Sequence, residues 1–353
     1  MKRNKIRLGI VRCSDIHGYY FAVFIEDCDP VLLSKNYYIV HHYATNIYDP
    51  QKITFPKVEG FKIVKVWDYD YKKAEIFSET FLGKPKVCKN LEEMLDGIDA
   101  VFIADGEDDG SDHLKLATPF IKRGIPVFVD KPFASSLKDA KGIVRLAQKY
   151  KTPIFNASIL TYVPAAEQFK KRFGEIATGY YPVPSGGPYL PVGLGIIKGV
   201  GGTFSQELAG KSVKGGLKER MAYIIHGISL ALNLFGLDVE WVETMGTSPL
   251  EYIHLHMKSG MEVIVINTST DIFPEECSFY ASAYSKYGAV HSNPIGDPQF
   301  IGGAKIILEI LKKMVLTGKP PVPYENFILH IGIIEAAQIA QKERRKVSLK
   351  EVL

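Results

Sequence analysis

The sequence is poor in cysteine and has no long apolar run. Its four cysteines, Cys13, Cys28, Cys88 and Cys277, are scattered without a CxxC pair. That pattern excludes a disulfide framework and a thiolate zinc site, and it reads as reduced thiols in a cytoplasmic protein. No stretch of about 18 apolar residues is present to span a bilayer. The N-terminal MKRNKIRLGIV has charge and a short apolar run but no cleavage-site pattern, so neither a membrane partner nor secretion is expected. An excess of one charge is also lacking. Forty-three basic against 39 acidic residues leave +4, too little over so large a surface to indicate nucleic acid or an anionic membrane. Repeats and low-complexity tracts are missing too. What is there is ordinary for a folded soluble chain: 46% hydrophobic and 23% charged residues. At roughly 100–200 residues per domain, 353 residues suggest two domains.

Hydrophobic patterning divides the chain. IRLGIV at 6–11 reads as a buried strand, and 15–26 as a helix with Ser14 or Asp15 as its cap. FKIVKVW at 61–67 reads as a strand ending at Asp68, and 70–82 as a helix with Ala74, Phe77 and Phe81 on one face. A helix at 90–96, a strand at 99–105, a helix at 112–123, a strand at 125–130, a helix at 136–150 and a strand at 153–158 follow. Strands alternating with helices imply βαβ units and a doubly wound parallel sheet, an α/β Rossmann-type domain. The segment 27–60, rich in tyrosine, histidine and proline, reads as an ordered loop or insertion. Beyond about residue 175 the runs VEWVETMGT, YIHLHMK, MEVIVINTST and SFYASAYSKYG succeed one another without helical patterns. They imply an α+β domain with a large, mainly antiparallel sheet, closed by helices at 301–316 and 325–341. The division is expected at 1–152 and 153–353.

An open parallel sheet binds its ligand at the carboxyl ends of its strands, where strand order reverses. The first turn of a dinucleotide fold normally reads GxGxxG, so that the backbone approaches the pyrophosphate at a helix N-terminus. Here, after Gly9, the turn runs Arg12-Cys13-Ser14-Asp15-Ile16-His17, with Arg12, Ser14 and His17 at the glycine positions. Two readings stand. Either the helix terminus, Ser14 and Arg12 still receive phosphate, or side chains occupy the mouth. Asp105, in the acidic Asp105-Gly-Glu107-Asp108-Asp109, follows the fourth strand. Asp68 can accept from ribose hydroxyls and would repel a ribose phosphate, favouring NAD over NADP; as a strand-end turn residue it would do neither. Lys131, in Val129-Asp130-Lys131-Pro132-Phe133, stands at a strand's carboxyl end, where its ammonium can orient a substrate hydroxyl. Pro132 makes that turn rigid. The bland reading is a solvated turn lysine. His226, on an apolar helix after Lys214-Gly215-Gly216, can exchange a proton near neutral pH or serve as a core residue. His254 and His256 share one strand face with no third ligand in sight, so no metal is expected.

Together these segments resemble the Gfo/Idh/MocA family, the glucose–fructose oxidoreductase and inositol dehydrogenase group. Val-Asp-Lys131-Pro132-Phe-Ala resembles its EKP motif with Asp130 for glutamate. Ile-Phe-Asn156-Ala-Ser…Tyr162-Val-Pro164 resembles the strand leading into its domain-linking helix, and Gly174-Glu175-Ile176 the entry to its second domain. Thr317-Gly-Lys-Pro…Tyr324-Glu325-Asn…Glu335-Ala-Ala…Val347-Ser-Leu-Lys-Glu resembles its closing helices. The resemblance implies a Rossmann domain, a second domain with an open sheet, and pairing into a homodimer or homotetramer through that sheet. It also implies hydride transfer between NAD or NADP and a sugar or polyol hydroxyl, with Lys131 orienting substrate and His226 as acid–base. The sequence departs from the family in three places: the glycine turn; Ala222, where an aspartate usually stands one turn before the histidine; and the acidic insert ending at His113. Glu219 or Glu207 could replace the lost carboxylate. The departures keep two alternatives open: a non-catalytic or regulatory protein without free nucleotide, and a lyase or hydrolase using tightly held NAD transiently.

Overall fold

A computed structural model describes residues 5–37, 40–41, 57–104, 109–178, 194–200, 216–247, 250–268, 279–285, 287–293, 295 and 297–353. The chain forms two compact units. One comprises Met1–Ala134, Lys138–Ala157 and Ala304–Tyr324, the other Ser135–Leu137, Ser158–Gly303 and Glu325–Leu353.

The first unit opens with β1 (Ile6–Val11), whose residues are buried except Arg7. Helix α1 (Ile16–Ala22) is capped by Asp15, whose carboxylate accepts from the His17 amide. It is shorter than the apolar pattern to residue 26 suggests. The amides of Phe24 and Ile25 bond back to Phe21 and Ala22, tightening the chain out of the α conformation. Within the expected insertion lies α2 (Pro30–Asn36), started by Asp29 as cap and Pro30 in the first turn, a strong start signal that the aromatic residues around it masked. Then come β2 (Phe61–Trp67), α3 (Tyr71–Thr80), the two-residue β3 (Lys86–Val87), β4 (Ala100–Ile103), α4 (His113–Lys122), β5 (Val127–Val129), α5 (Leu137–Tyr150) and β6 (Ile154–Phe155). The helix expected at 90–96 is a single 3-10 turn, Glu92–Met94. Asn90 takes the Glu93 amide, and side-chain bonding of this kind competes with helix propagation.

The six strands lie in the order β3-β2-β1-β4-β5-β6, with all five pairings parallel. Strand order reverses between β1 and β4, the crossover at which such sheets bind ligands. Aromatic rings cement the sheet: Phe102 stacks on Phe128 at 4.8 Å and meets Phe21 of α1 at 4.9 Å. Each fully buried ring contributes about 1.5–3 kcal/mol through burial.

In the second unit a 3-10 turn (Ile159–Tyr162) and α6 (Pro164–Thr178) precede β7 (Leu194–Val200), α7 (Gly216–Phe235), β8 (Val239–Thr247), β9 (Leu250–Met257), β10 (Glu262–Thr268), β11 (Tyr280–Ser285) and β12 (Gly288–His291). Helices α8 (Asp297–Thr317) and α9 (Glu325–Glu343), strand β13 (Val347–Ser348) and α10 (Leu349–Val352) end the chain. The sheet order is β12-β11-β7-β10-β9-β8-β13. Its pairings are antiparallel except β7 with β10. Helix α7 lies close on one face. A Cβ on Gly195 would meet the Phe235 ring at 2.7 Å, and one on Gly227 would meet Val265 at 3.0 Å. No helix among the described residues is long and apolar enough to cross a membrane.

Candidate active site

In the first unit, register brings the expected residues to one edge. Val11 pairs with Trp67 and with Ile103, and Ile103 pairs with Val129. The segments after β1, β2 and β5 therefore leave the sheet side by side. Arg12 adopts φ +59, the left-handed conformation for which a dinucleotide turn uses glycine and which costs an L-residue about 1–2 kcal/mol. Contacts hold it there. Its guanidinium lies 4.7 Å from the Tyr69 ring centre and 3.7 Å from Asp112. Ser14 donates to Asp68 Oδ2 from both its amide, at 3.1 Å, and its hydroxyl, at 2.8 Å. The Cys13 amide bonds the Trp67 carbonyl, its thiol is buried, and desolvation together with Asp68 raises its pKa.

The close approach that the third glycine normally allows is made one residue later. A Cβ on Gly18 would stand 2.3 Å from the Cys13 carbonyl oxygen. Reading the turn against fixed positions missed this residue; its signal was a glycine inside the first turn of a predicted helix.

Lys131 is 7% exposed at the end of β5, and its peptide bond to Pro132 is cis. Four hydrogen bonds fix this turn. Asn156 donates to the carbonyls of Val129 and Asp130, both at 2.9 Å. Asp130 Oδ1 takes the Lys131 amide at 2.8 Å. Its Oδ2 bonds Nδ1 of His17. Thus the residue at the third glycine position ties the β1 turn to the lysine turn. Burial disfavours the charged imidazole, but the charge and hydrogen bond of Asp130, with Asp15, raise the His17 pKa overall against the opposing charge of Lys131. Desolvation of Asp130 is outweighed by His17 and Lys131, and its pKa falls. Burial raises that of Asp15. Donor atoms of Asp15, His17 and Asp130 lie within 4.8 Å of one another, a grouping this ion pair accounts for. Buried His113 meets the Phe133 carbonyl at 3.3 Å. Asp105 and the acidic residues to 108 lie outside the described residues.

In the second unit, His226 sits half-buried on α7. Its Nδ1 is 2.6 Å from Ser158 Oγ, and its ring meets that of Phe279 edge-on, 6.1 Å between centres. Ser158 also accepts from the Leu160 amide, which fixes its hydroxyl at the start of the 3-10 turn. No sequence reading singled out Ser158, because a serine at a turn cap looks the same whether or not a histidine faces it. Glu207, Lys214 and Gly215 lie outside the described residues; Glu219 and Ala222 are placed as helical backbone only. His254 and His256 both bond Glu262, at 2.6 and 2.8 Å, beside Trp241, on a half-buried strand face.

A dinucleotide fits the first unit's edge. The strand order supplies the crossover, Gly18 the close helix–strand approach, and Asp68 a carboxylate at the end of β2. What differs is the lining of the turn, where side chains stand in place of bare amides. The family model described as "Oxidoreductase family, NAD-binding Rossmann fold" (GFO_IDH_MocA) matches residues 38–157. The chain is 29% identical over 140 residues to the uncharacterized protein YMR315W of Saccharomyces cerevisiae, which is 38% of each chain. Among solved structures, myo-inositol dehydrogenase of Lactobacillus casei in complex with NAD(H) and myo-inositol superposes with a TM-score of 0.69. It is 16% identical, covering 98% of this chain and 96% of that one. Myo-inositol 2-dehydrogenase of Lactobacillus plantarum gives 0.70 at 15% identity, over 98% and 99%. At such identities the structural likeness concerns the fold. Residues 38–157 thus match the NAD-binding Rossmann domain of the Gfo/Idh/MocA oxidoreductase family.

Proposed function

We propose that the protein is an NAD(P)-dependent oxidoreductase acting on a hydroxyl or ketone of a sugar or polyol. Residues 1–152 form its nucleotide domain and 153–353 its substrate and oligomerisation domain. The observation that carries this reading is Lys131, a buried ammonium at the carboxyl end of β5, fixed through Asn156 and Asp130. The charges of Asp130 and Asp15 lie close enough to interact with it, which holds a cation at the edge where such sheets bind ligands.

The coenzyme, held along Gly9, Arg12–Ile16, Asp68, Asp105 and Lys131–Pro132, supplies a hydride acceptor or donor when bound. Lys131 donates a hydrogen bond to the substrate oxygen and stabilises negative charge as its proton leaves. His226 takes that proton at Nε2 in oxidation and returns it in reduction. Ser158 sets the tautomer. Nδ1–H of the neutral ring donates to Oγ, which leaves the Nε2 lone pair able to take the proton, and the same bond persists in the imidazolium. Asp68 supports NAD, since its charge would repel a ribose phosphate. Ile264 and Ile266, half-buried and alternating with buried Val263 and Val265, support pairing of copies through the second sheet.

Isothermal titration with NAD and NADP tests the reading, with tighter binding of NAD expected. The second reading, a non-catalytic binding protein, rests on the turn, where Ser14, Asp15 and His17 already bond one another or their neighbours. It predicts heat from neither nucleotide.

A further inference from the structure

In the β1–α1 turn the polar side chains are engaged by their neighbours, and one nitrogen is left over. Ser14 gives its amide and hydroxyl to Asp68, and Asp15 takes the His17 amide. The Arg12 guanidinium lies over Tyr69 beside Asp112. His17 uses Nδ1 on Asp130. Its Nε2 has no partner among the described residues, and its side chain is 22% exposed. The sheet fixes where this ring lies. Strand β4 runs between β1 and β5; the Ala104 amide bonds the Val11 carbonyl, and the Asp130 amide the Ile103 carbonyl. A side chain from the β1 turn that reaches Asp130 therefore bridges the end of β4, at the crossover where such sheets bind ligands.

Asp130 also decides which nitrogen carries the proton. A carboxylate only accepts, and His17 and Lys131 favour its ionised form, so Nδ1–H donates to it whether the ring is neutral or charged. Only Nε2 changes character: it accepts in the neutral ring and donates in the imidazolium. An anion at this nitrogen is met by the charged form alone. The surrounding charges point the same way. Asp15, Asp130 and Lys131 face the ring, two carboxylates against one ammonium. A proton on His17 cancels the excess negative charge that would repel a phosphate.

We propose that His17 is a coenzyme-binding residue whose Nε2–H donates to the diphosphate of the dinucleotide, so that binding takes up a proton from solvent; the inference rests on the oxidoreductase reading above. A glycine turn offers bare amides to the phosphates. This turn offers a side chain, and with it a dependence on pH. Asp130 and Asp15 already favour the charged ring, and a bound diphosphate favours it further. Affinity is therefore greatest while the free protein holds the proton. It falls by about tenfold per unit as pH climbs from the free histidine's pKa to the bound one.

The test is isothermal titration of the intact protein with NAD, ADP-ribose and adenosine from pH 7 to 9, each in two buffers of unlike ionisation heat, which counts the protons taken up. NAD and ADP-ribose are expected to take up as much as about one proton each on the alkaline side, and adenosine, which has no phosphate, none. His17→Asn keeps an amide donor toward Asp130 and lacks the outer nitrogen. It should bind NAD roughly ten- to a hundredfold more weakly near pH 7, with no proton uptake and an affinity that stays flat over the range. His17→Gln supplies the same comparison if His17→Asn does not fold. Wild type that takes up no proton overturns the proposal, as does a variant that keeps the uptake or adenosine that matches NAD. Hydride transfer with a panel of sugars and polyols is followed alongside. Proton uptake that depends on His17, without turnover of any of them, defeats the redox reading and leaves the phosphate contact standing. Turnover by a protein that binds NAD without taking up a proton defeats the contact and leaves the redox reading. Absence of heat from both NAD and ADP-ribose defeats the two together.

Discussion

The β1–α1 turn and the floor beneath α7 solve opposite problems. At the turn, side chains stand where a dinucleotide fold has glycine, and they bond their neighbours: Ser14 to Asp68, His17 to Asp130. Beneath α7, a buried amide nitrogen on Asn267 has no partner among the described residues. A closed network fixes a shape before any ligand arrives, whereas an open polar group is left for water or a ligand to meet. The comparison teaches that loss of the glycine motif alters how the edge of the first sheet is built, with side chains bonded to their neighbours where the second unit keeps a buried amide unmet by its own.

The largest expected effect separates the edge's structure from its chemistry. Lys131→Met keeps an apolar stem of similar length and removes the charge. Turnover should fall about 10²–10⁴-fold, a larger change than the loss of about tenfold or less in coenzyme affinity, by nicotinamide fluorescence, that one lost contact causes. Equal turnover would remove Lys131 from the reaction. The next effect probes packing. Gly18→Ala puts a methyl 2.3 Å from the Cys13 carbonyl, and the Cys13 amide is anchored to Trp67, so the strand end has little room to withdraw. A loss of about 1–3 kcal/mol in urea unfolding is expected. An unchanged midpoint would show that the turn is not as closed as the comparison holds. A smaller effect belongs to the second unit. Ser158→Ala removes the hydroxyl beside Nδ1 of His226 and should lower kcat about tenfold. It should also move the pH profile of kcat, with recovery in Ser158→Thr. A loss that threonine does not restore would make Ser158 a turn cap and nothing more.

The strands of the first sheet other than the two-residue β3 (Lys86–Val87) were legible because short β-branched runs must be buried, and alternation with helices forces parallel pairing. Lys131 was legible for the same reason: a polar residue directly after such a run stands at the ligand edge. The rest depended on contacts distant in sequence. Ser158 meets a histidine 68 residues away, a neighbour that a turn-cap pattern alone leaves undefined. Gly18 was passed over because the glycine motif was matched by position, whereas the physical requirement is a close approach that the next residue meets equally well. Strand β7, with Gly195 beneath the Phe235 ring, was not anticipated because its glycines dilute the apolar pattern.

The smallest effect tests how closed the turn is. His17 is faced by Asp130, by Asp15 and by Lys131, and its pKa is raised on balance, while that of Asp130 is lowered. A raised histidine stabilises the fold fully below its unfolded pKa, about 6.5, and loses that contribution as pH climbs through the raised folded value. A depressed aspartate stabilises above its unfolded pKa, about 3.9, and loses that contribution as pH falls through the depressed one. The pair is therefore at full strength between about pH 4 and 6.5 and weakens on the alkaline side as the imidazole gives up its proton. Urea midpoints of wild type and His17→Gln should differ most near pH 6 and converge by pH 9. The difference should shrink by about 1.4 kcal/mol for each unit by which the histidine is raised. Asp15 titrates in both proteins and largely cancels from the comparison. A gap that stays constant from pH 6 to 9 would mean that His17 holds the turn as a neutral donor, and the bond to Asp130 would then be an ordinary hydrogen bond in place of an ion pair.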